Sequence, residues 1–341
     1  LLTLAQLNLV KERWDKGISL ILQWMSEVET VTAQSYYLLA SAYFQKTDYV
    51  RARSNMEEAI RLAEEEGYRP KENWYVLLAA CFSELKDKKI ISAQFALEQQ
   101  VGIYEILVNY YPKKLYFLQL GGTYQQMDRE EDYMLTLKAA YEKDLLDKEG
   151  EYLALAQMLL LKKNPYWAAQ VLVAGQQKKV TITDEDTGEE EVVAVVKDKE
   201  KTLKLLADAW RMAQEIDKAI PVLEKAAKMS KDGDTYVLLG NLYLFEDRME
   251  DSIRAIEAGL KKPKVKSRSQ ALLVLGQAHF ELQNFEEAKK HFRAAARDEN
   301  KRIKKTANSW IKYAENEEIR VKNLALRRDF IQQSQAKSKN S

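Results

Sequence analysis

The sequence predicts an all-α fold of repeated antiparallel helix pairs, interrupted by one small β-hairpin. The chain of 341 residues has only 12 Gly and 5 Pro, fewer turn residues than a sandwich, a barrel or a doubly wound sheet needs. Its commonest residues, such as Ala, Leu, Glu, Lys and Gln, are good helix formers. In addition, one pattern of large and small residues recurs along the chain, which is typical of a repeat protein.

The residue counts exclude several classes of function. The 53 basic residues nearly balance 52 acidic ones, so the whole chain does not favour nucleic acid or an anionic membrane as its partner. The single cysteine, Cys81, cannot form an internal disulfide and is interpreted as a small buried hydrophobe. The two histidines, His279 and His291, do not have the spacing of metal ligands on one helix turn. We therefore expect no metal and no cofactor, and no apolar run is long enough to span a bilayer.

The recurring pattern places a small residue between large apolar ones in the first helix of each pair. Residues 36–43, 236–243 and 272–279 show it most clearly. We expect the small residue to mark the point where the second helix crosses closely. The aligned position holds only Ala or Gly, at Ala40, Ala79, Gly121, Ala156, Ala207, Gly240 and Gly276.

This spacing resembles the tetratricopeptide repeat (TPR), a unit of about 34 residues with two antiparallel helices. The resemblance covers roughly residues 33–300 and implies a right-handed superhelix. Residues 17–24 fit the second helix of an earlier repeat. The predicted organisation is an N-terminal partial repeat or cap (1–32), repeats (33–178), a hairpin insertion (179–198), repeats (199–300), a basic capping helix (301–330) and a disordered tail (331–341).

Two irregular intervals predict departures from the regular repeat. The interval after Ala79 holds a long second helix, from about Ile90 to Tyr110. The interval after Ala156 holds two β-branched runs, 180–183 and 192–196, around six carboxylates and Gly188. This pattern predicts an acidic β-hairpin. Calcium binding is less favoured than a solvated acidic loop, because the spacing of an EF-hand is absent.

The C-terminal 41 residues are basic, with eleven Lys or Arg against four acids in 301–341. Apolar residues at helical spacing, including Ile303, Ala307, Trp310, Ile311 and Ala314, predict a helix that caps the last repeat. A basic end of this kind could also bind nucleic acid or an anionic membrane, and we keep that as the alternative function.

No catalytic constellation is evident, so we do not expect an enzyme. The chain has no Gly-rich phosphate loop, and no Ser or Cys nucleophile has a His partner by motif. A superhelix of helix pairs instead presents a groove lined by the first helices, which suits an extended peptide or protein segment. Only one first helix is rich in charge, so a clamp for a C-terminal carboxylate is not predicted. The predicted groove residues are Tyr37, Ser41, Phe44, Asn73, Gln125, Gln157, Lys204, Asp208, Arg211, Asn241, Gln277 and Phe280.

Several stretches also resemble a narrower family, the TPR protein encoded in bacterial TonB–ExbB–ExbD gene clusters. They lie at residues 140–149, 155–157, 165–172, 205–210, 217–227 and 310–313. The resemblance implies a periplasmic accessory of TonB-dependent uptake that contacts TonB, ExbB or ExbD. It assigns no catalytic residue, and the acidic hairpin departs from that family.

Overall fold

The computed structural model describes residues 1–183, 187–266 and 268–339, and the described chain is almost wholly helical. It contains 17 helices and one two-stranded sheet over these residues. The helices of the first part are α1 (Leu2–Val10), α2 (Trp14–Glu27), α3 (Ala33–Gln45), α4 (Tyr49–Glu65), α5 (Glu72–Asp87), α6 (Ala93–Tyr110), α7 (Lys114–Gln126) and α8 (Glu130–Glu142). The remaining elements are α9 (Glu149–Leu161), α10 (Pro165–Gln177), β1 (Lys179–Thr183), β2 (Glu190–Ala194), α11 (Glu200–Met212), α12 (Ile216–Met229), α13 (Asp234–Phe245), α14 (Met249–Leu260), α15 (Arg268–Glu281), α16 (Phe285–Ala295) and α17 (Lys301–Lys339).

The helices pack as consecutive antiparallel pairs in two compact units, Leu1–Asp147 and Lys148–Ser341. The first unit holds the pairs α1/α2, α3/α4, α5/α6 and α7/α8. The second unit holds α9/α10, α11/α12, α13/α14 and α15/α16, followed by α17. Within each unit, the second helix of a pair contacts the first helix of the next. The all-α helical-repeat fold is confirmed, and residues 1–32 contain the two helices α1 and α2.

The predicted crossing points are buried where the two helices of a pair meet. Ala40, Ala79, Ala156 and Ala207 are at most 3% exposed. A Cβ atom added to Gly276 would lie 2.5 Å from Cε1 of Phe292, and one added to Gly240 would lie 2.5 Å from Cδ1 of Ile256. The small residue therefore sets how closely the second helix can approach, as the repeat pattern predicts.

The turn inside each pair uses a residue other than glycine in the left-handed conformation. After α3 this residue is Thr47, with a φ of 60°, and the N–H of Asp48 donates to the carbonyl of Tyr43 at 3.0 Å. The same cap satisfies the last carbonyls of every first helix in both units. The other residues with this φ after first helices are Glu12, Lys89, Asp128, Lys163, Gln214, Asp247 and Gln283. This repeated cap explains how the chain makes its turns with so few glycines.

The predicted hairpin is present between α10 and α11. β1 pairs antiparallel with β2, with Lys179 opposite Ala194 and Thr183 opposite Glu190. The β-branched run at 192–196 extends two residues beyond the end of β2. There, the N–H groups of Val195 and Val196 donate to carbonyls at the end of α10. Both valines are buried, which fixes the base of the hairpin to α10. Residues 184–186, three of the six predicted carboxylate positions, lie outside the described residues.

Two helices differ in extent from the prediction. α6 begins at Ala93 rather than near Ile90, because the side chain of Ser92 accepts the N–H of Phe95 at 3.2 Å and caps the helix. α17 continues to Lys339, through most of the predicted disordered tail at 331–341. The chain has no Gly or Pro after residue 301, so no residue type there ends a helix. Residues 340–341 lie outside the described residues.

The close crossing at Gly276 predicts a specific loss of stability. We expect Gly276→Ala to lower the free energy of unfolding by about 1–2 kcal/mol. Overpacking against Phe292 costs about 1–3 kcal/mol, and the helix propensity of Ala offsets at most about 1 kcal/mol. Urea unfolding followed by circular dichroism measures the change.

The matched control is Gly150→Ala in the same unit, where an added Cβ has no atom within 4 Å. This variant should unfold like the parent protein or slightly later. Equal destabilisation by both substitutions would contradict the role of Gly276 as a crossing point.

Candidate functional site

The first helices of neighbouring pairs contact one another directly in the first unit. α3 meets α5 where the ring of Tyr37 stacks on Trp74, with centroids 5.4 Å apart and planes inclined by 13°. The side-chain amide of Asn73 also donates to the hydroxyl of Tyr37 at 2.8 Å. Two predicted groove residues, Tyr37 and Asn73, are thus joined in one contact between consecutive first helices.

A charged contact joins α5 to the start of α7. The carboxylate of Glu72 accepts hydrogen bonds from Nζ of Lys113, at 2.6 Å, and from the hydroxyl of Tyr116. The Lys113 bond, followed by the Tyr116 bond, lowers the pKa of Glu72. Burial, followed by the bond to Glu72, raises the pKa of Tyr116 to about 12. This contact holds the first helices of two successive pairs together.

In the second unit, α15 contacts both α13 and α17, so α17 continues the row of first helices. An aromatic cluster joins α15 to α17. Phe280 packs edge-on against Trp310 with centroids 5.5 Å apart, and lies 5.1 Å from the ring of Tyr313. Trp310 also stacks on Phe292 at 5.5 Å. The helix predicted as a cap therefore covers the last pair through its aromatic residues.

Phe280 is the predicted groove residue that the structure moves into the core. It is 8% exposed and lies beneath α17, so it does not line an open surface. The repeat register predicts that Phe280 faces the groove. It does not show that α17 covers the side of α15 on which an open groove would lie.

The other predicted groove residues lie on first helices and retain exposed surface. Tyr37, Ser41 and Phe44 are half-buried on α3, and Asn73, Gln125 and Gln157 are exposed on α5, α7 and α9. Asn241 and Gln277 are half-buried on α13 and α15. Phe44 is also packed edge-on against Tyr49, with centroids 5.1 Å apart. The first unit thus presents amides and aromatic rings on its first helices, and the second unit presents the amides of Gln157, Asn241 and Gln277.

The charged residues predicted on α11 are paired within their own helix. Nζ of Lys204 lies 2.5 Å from a carboxylate oxygen of Glu200, and Arg211 lies 3.3 Å from Asp208. These cations therefore have carboxylate partners on their own helix.

A group of lysines on α17 escaped the sequence reasoning. Lys301, Lys304, Lys305 and Lys312 are exposed, and none has an ion pair with a described residue. Together with Asn308 and Ser309 they line a shallow depression of about 430 Å³; we call this surface the basic face. The spacing of three or four residues could have revealed it, because such residues share one side of a helix. The total charge of the C-terminal segment does not show which side of the helix each lysine occupies.

A buried ion pair fixes α17 to α16. Lys289 is only 6% exposed, and its Nζ lies 2.7 Å from Glu318 on α17 and 2.7 Å from Glu286 on its own helix. The hydrogen bond from Lys289, followed by that from Lys322, lowers the pKa of Glu318 to about 2. Breaking such a pair leaves a buried charge poorly compensated, so this contact positions the helix that carries the basic face.

The cysteine and the histidines lie in packed positions. Cys81 is fully buried, and burial raises the pKa of its thiol to about 12, so it is a core residue, as predicted. His279 and His291 stack across α15 and α16 with centroids 5.4 Å apart, a contact that their spacing in the sequence did not predict. Burial lowers the pKa of both rings.

The described residues contain no group of three or more His, Cys, Asp or Glu side chains arranged to hold a metal ion. In the same part of the chain, no helix combines the length and the apolar character that crossing a membrane requires.

Comparison with known families identifies the repeat unit. Residues 33–66 and residues 237–301 match two models of the tetratricopeptide repeat. These two segments are similar to the tetratricopeptide repeat. The matched segments include the pairs α3/α4, α13/α14 and α15/α16, and the repeat register at Ala40, Gly240 and Gly276 falls within them. A sequence search of curated proteins finds no match.

The chain is similar to several solved structures. A chain in the structure of Naa15/Naa10 bound to HypK-THB is 11% identical, with a TM-score of 0.51 over 83% of this chain and 39% of that chain. The crystal structure of MamA protein is 18% identical, with a TM-score of 0.43 over 56% of this chain and 94% of that chain. A tetratricopeptide repeat protein from Parabacteroides merdae is 14% identical, with a TM-score of 0.31 over 83% of this chain and 98% of that chain. At these identities, the Naa15/Naa10 likeness supports the fold and nothing further.

The Lys289–Glu318 contact predicts pH-dependent stability of α17. We expect Glu318→Gln to lower the midpoint of thermal unfolding near pH 7, because the buried ammonium loses a charged partner. The pKa of Glu318 is lowered on folding, so its stabilising effect is complete above about pH 4.3, the ordinary value for Glu. It is lost as the pH falls towards 2, and the difference between variant and parent should shrink over that interval.

The matched control on the same helix is Glu315→Gln, since Glu315 is half-exposed and lies 3.9 Å from Arg293. This control should leave the midpoint unchanged. A Glu318→Gln effect that is the same at pH 7 and pH 3, or equal to that of Glu315→Gln, would contradict the assignment.

Proposed function

We propose that this protein is a non-catalytic scaffold that binds a protein or peptide segment along its first helices. The observation that supports this proposal is the contact between Tyr37 on α3 and Asn73 on α5, which joins two successive first helices while both side chains keep exposed surface. In the second unit, Asn241 on α13 and Gln277 on α15 also keep exposed surface. Amide groups can both donate to and accept from a peptide backbone, which suits an extended segment.

The fold itself is one that other proteins use for binding. The similar chain of the Naa15/Naa10 structure belongs to an assembly that is bound to HypK-THB. Repeated helix pairs present long surfaces whose residues vary without disturbing the core. These considerations favour a protein partner over a small molecule.

We further propose that the partner belongs to a TonB–ExbB–ExbD energy-transducing system and that the protein works in the periplasm. The support is the sequence resemblance in residues 140–313 to the TPR protein of those gene clusters. In this role the scaffold would contact TonB, ExbB or ExbD and assist uptake across the outer membrane.

Site-directed photo-crosslinking in the source cell tests the scaffold. A photo-reactive amino acid at Asn241 or at Gln277 should capture the same partner, since both positions lie on contacting first helices. Mass spectrometry of the crosslinked product identifies that partner, and TonB, ExbB or ExbD would support the narrower proposal.

The matched positions on second helices are Glu257 on α14 and Lys290 on α16, both exposed. They should give little or none of the same product. Equal capture from the second helices would contradict the assignment of the first helices. A single partner unrelated to TonB, ExbB and ExbD would overturn only the narrower proposal.

A further inference from the structure

The basic face of α17 lacks the local charge pairing seen elsewhere on this helix. Residues 301–314 contain five Lys or Arg and no acid. Further along α17, Arg320 and Lys322 pair with Glu317 and Glu318. The basic face is therefore a group of like charges on one side of a helix, which favours an acidic partner.

An apolar border lies next to these lysines. A second depression, of about 330 Å³, is lined by Lys305, Thr306, Ser309, Trp310 and Tyr313. It shares Lys305 and Ser309 with the basic face, and Tyr313 is 53% exposed. A segment that fits this surface must combine carboxylates with an apolar side chain a few ångströms away.

The hairpin of this same protein has that combination. Glu189, Glu190 and Glu191 are exposed and have no ion pair with a described residue. Val192 is 67% exposed and lies two residues after Glu190, so both side chains point to the same side of β2. The tip of the hairpin thus joins unpaired carboxylates to an exposed aliphatic residue.

The two surfaces also have nearly opposite charge in the sequence. Residues 184–191 contain six acids and no base, whereas residues 301–341 have eleven bases against four acids. The charges of these two segments, −6 and +7, sum to +1, which is the net charge of the whole chain. Oppositely charged patches on the same protein favour association between copies by electrostatic steering.

Within one chain, the two surfaces are attached to different helices. β2 contacts α10, whereas α17 contacts α15 and α16. We propose that the acidic hairpin of one copy docks on the basic face of a second copy. The carboxylate of Glu190 lies against the lysines, and Val192, on the same side of β2, lies against Trp310 and Tyr313. This contact uses β2 and α17, whereas the positions tested above for a different partner, Asn241 and Gln277, lie on α13 and α15.

Sedimentation velocity on the full chain tests the contact, from about 1 µM to about 1 mM protein. The protein should self-associate as its concentration rises, and the association should weaken at least tenfold between about 0.1 M and about 1 M salt. Over that interval the Debye length falls from about 10 Å to about 3 Å.

Charge reversal identifies the two surfaces. Lys304→Glu with Lys305→Glu brings the net charge of the four lysine positions to zero, and Glu190→Lys with Glu191→Lys reduces the charge of residues 184–191 from −6 to −2. Each double variant alone should lose self-association. An equimolar mixture of the two should associate again, because the unaltered hairpin of the first variant can then meet the unaltered basic face of the second.

The mixture also guards against misfolding, since an unfolded variant could not restore the contact. The matched control is Arg327→Glu with Arg328→Glu, which reverses two charges on the same helix outside the basic face and should leave association intact. Any of three results overturns the proposal: a monomer at every concentration in low salt, self-association that survives both reversals, or no association in the mixture. A protein that binds anionic vesicles or single-stranded RNA through the basic face but stays monomeric in low salt would also overturn the proposal.

Discussion

The close crossing of two helices at one small residue is the constraint on which the rest of this structure depends. At Gly240 and Gly276 a single added carbon would lie 2.5 Å from a buried side chain of the second helix. Because the two helices approach so closely, the large residues on either side interlock into one face. That face is buried only when the next pair stacks on it, so the exposed first helices follow from the same constraint.

The fold was predictable because this constraint is local and repeats. Seven small residues in register revealed the pairs, although family models match only residues 33–66 and 237–301. The turns were less predictable, because residues such as Thr47 and Gln283 take a left-handed conformation that usually signals glycine. The hydrogen bonds of the cap compensate for that conformation, and they leave no mark in the composition. The end of α17 was missed for a related reason, since only the loss of apolar residues suggested a boundary.

The positions of the polar groove candidates on first helices could be predicted from the repeat register. The position of Phe280 could not, because it depends on tertiary packing. Asn73, Asn241 and Gln277 lie on first helices as the register predicts, whereas Phe280 lies under α17 through contacts with Trp310 and Tyr313. Residues distant in sequence make those contacts, so no local pattern contains them. The same holds for the Lys289–Glu318 pair and for the stacked histidines. Charge counted per segment likewise hid the basic face, which depends on which side of a helix each lysine occupies.

We conclude that each small residue stabilises its own helix pair and affects the stability of other pairs only through the helices that stack on that pair. Amide hydrogen exchange on Gly240→Ala tests this claim most directly, because exchange reports opening free energies helix by helix. The account predicts that protection falls in α13 and α14, falls less in the adjoining α12 and α15, and stays unchanged in α3 and α4. A loss of protection spread evenly over both units, or no loss in α13 and α14, would contradict it.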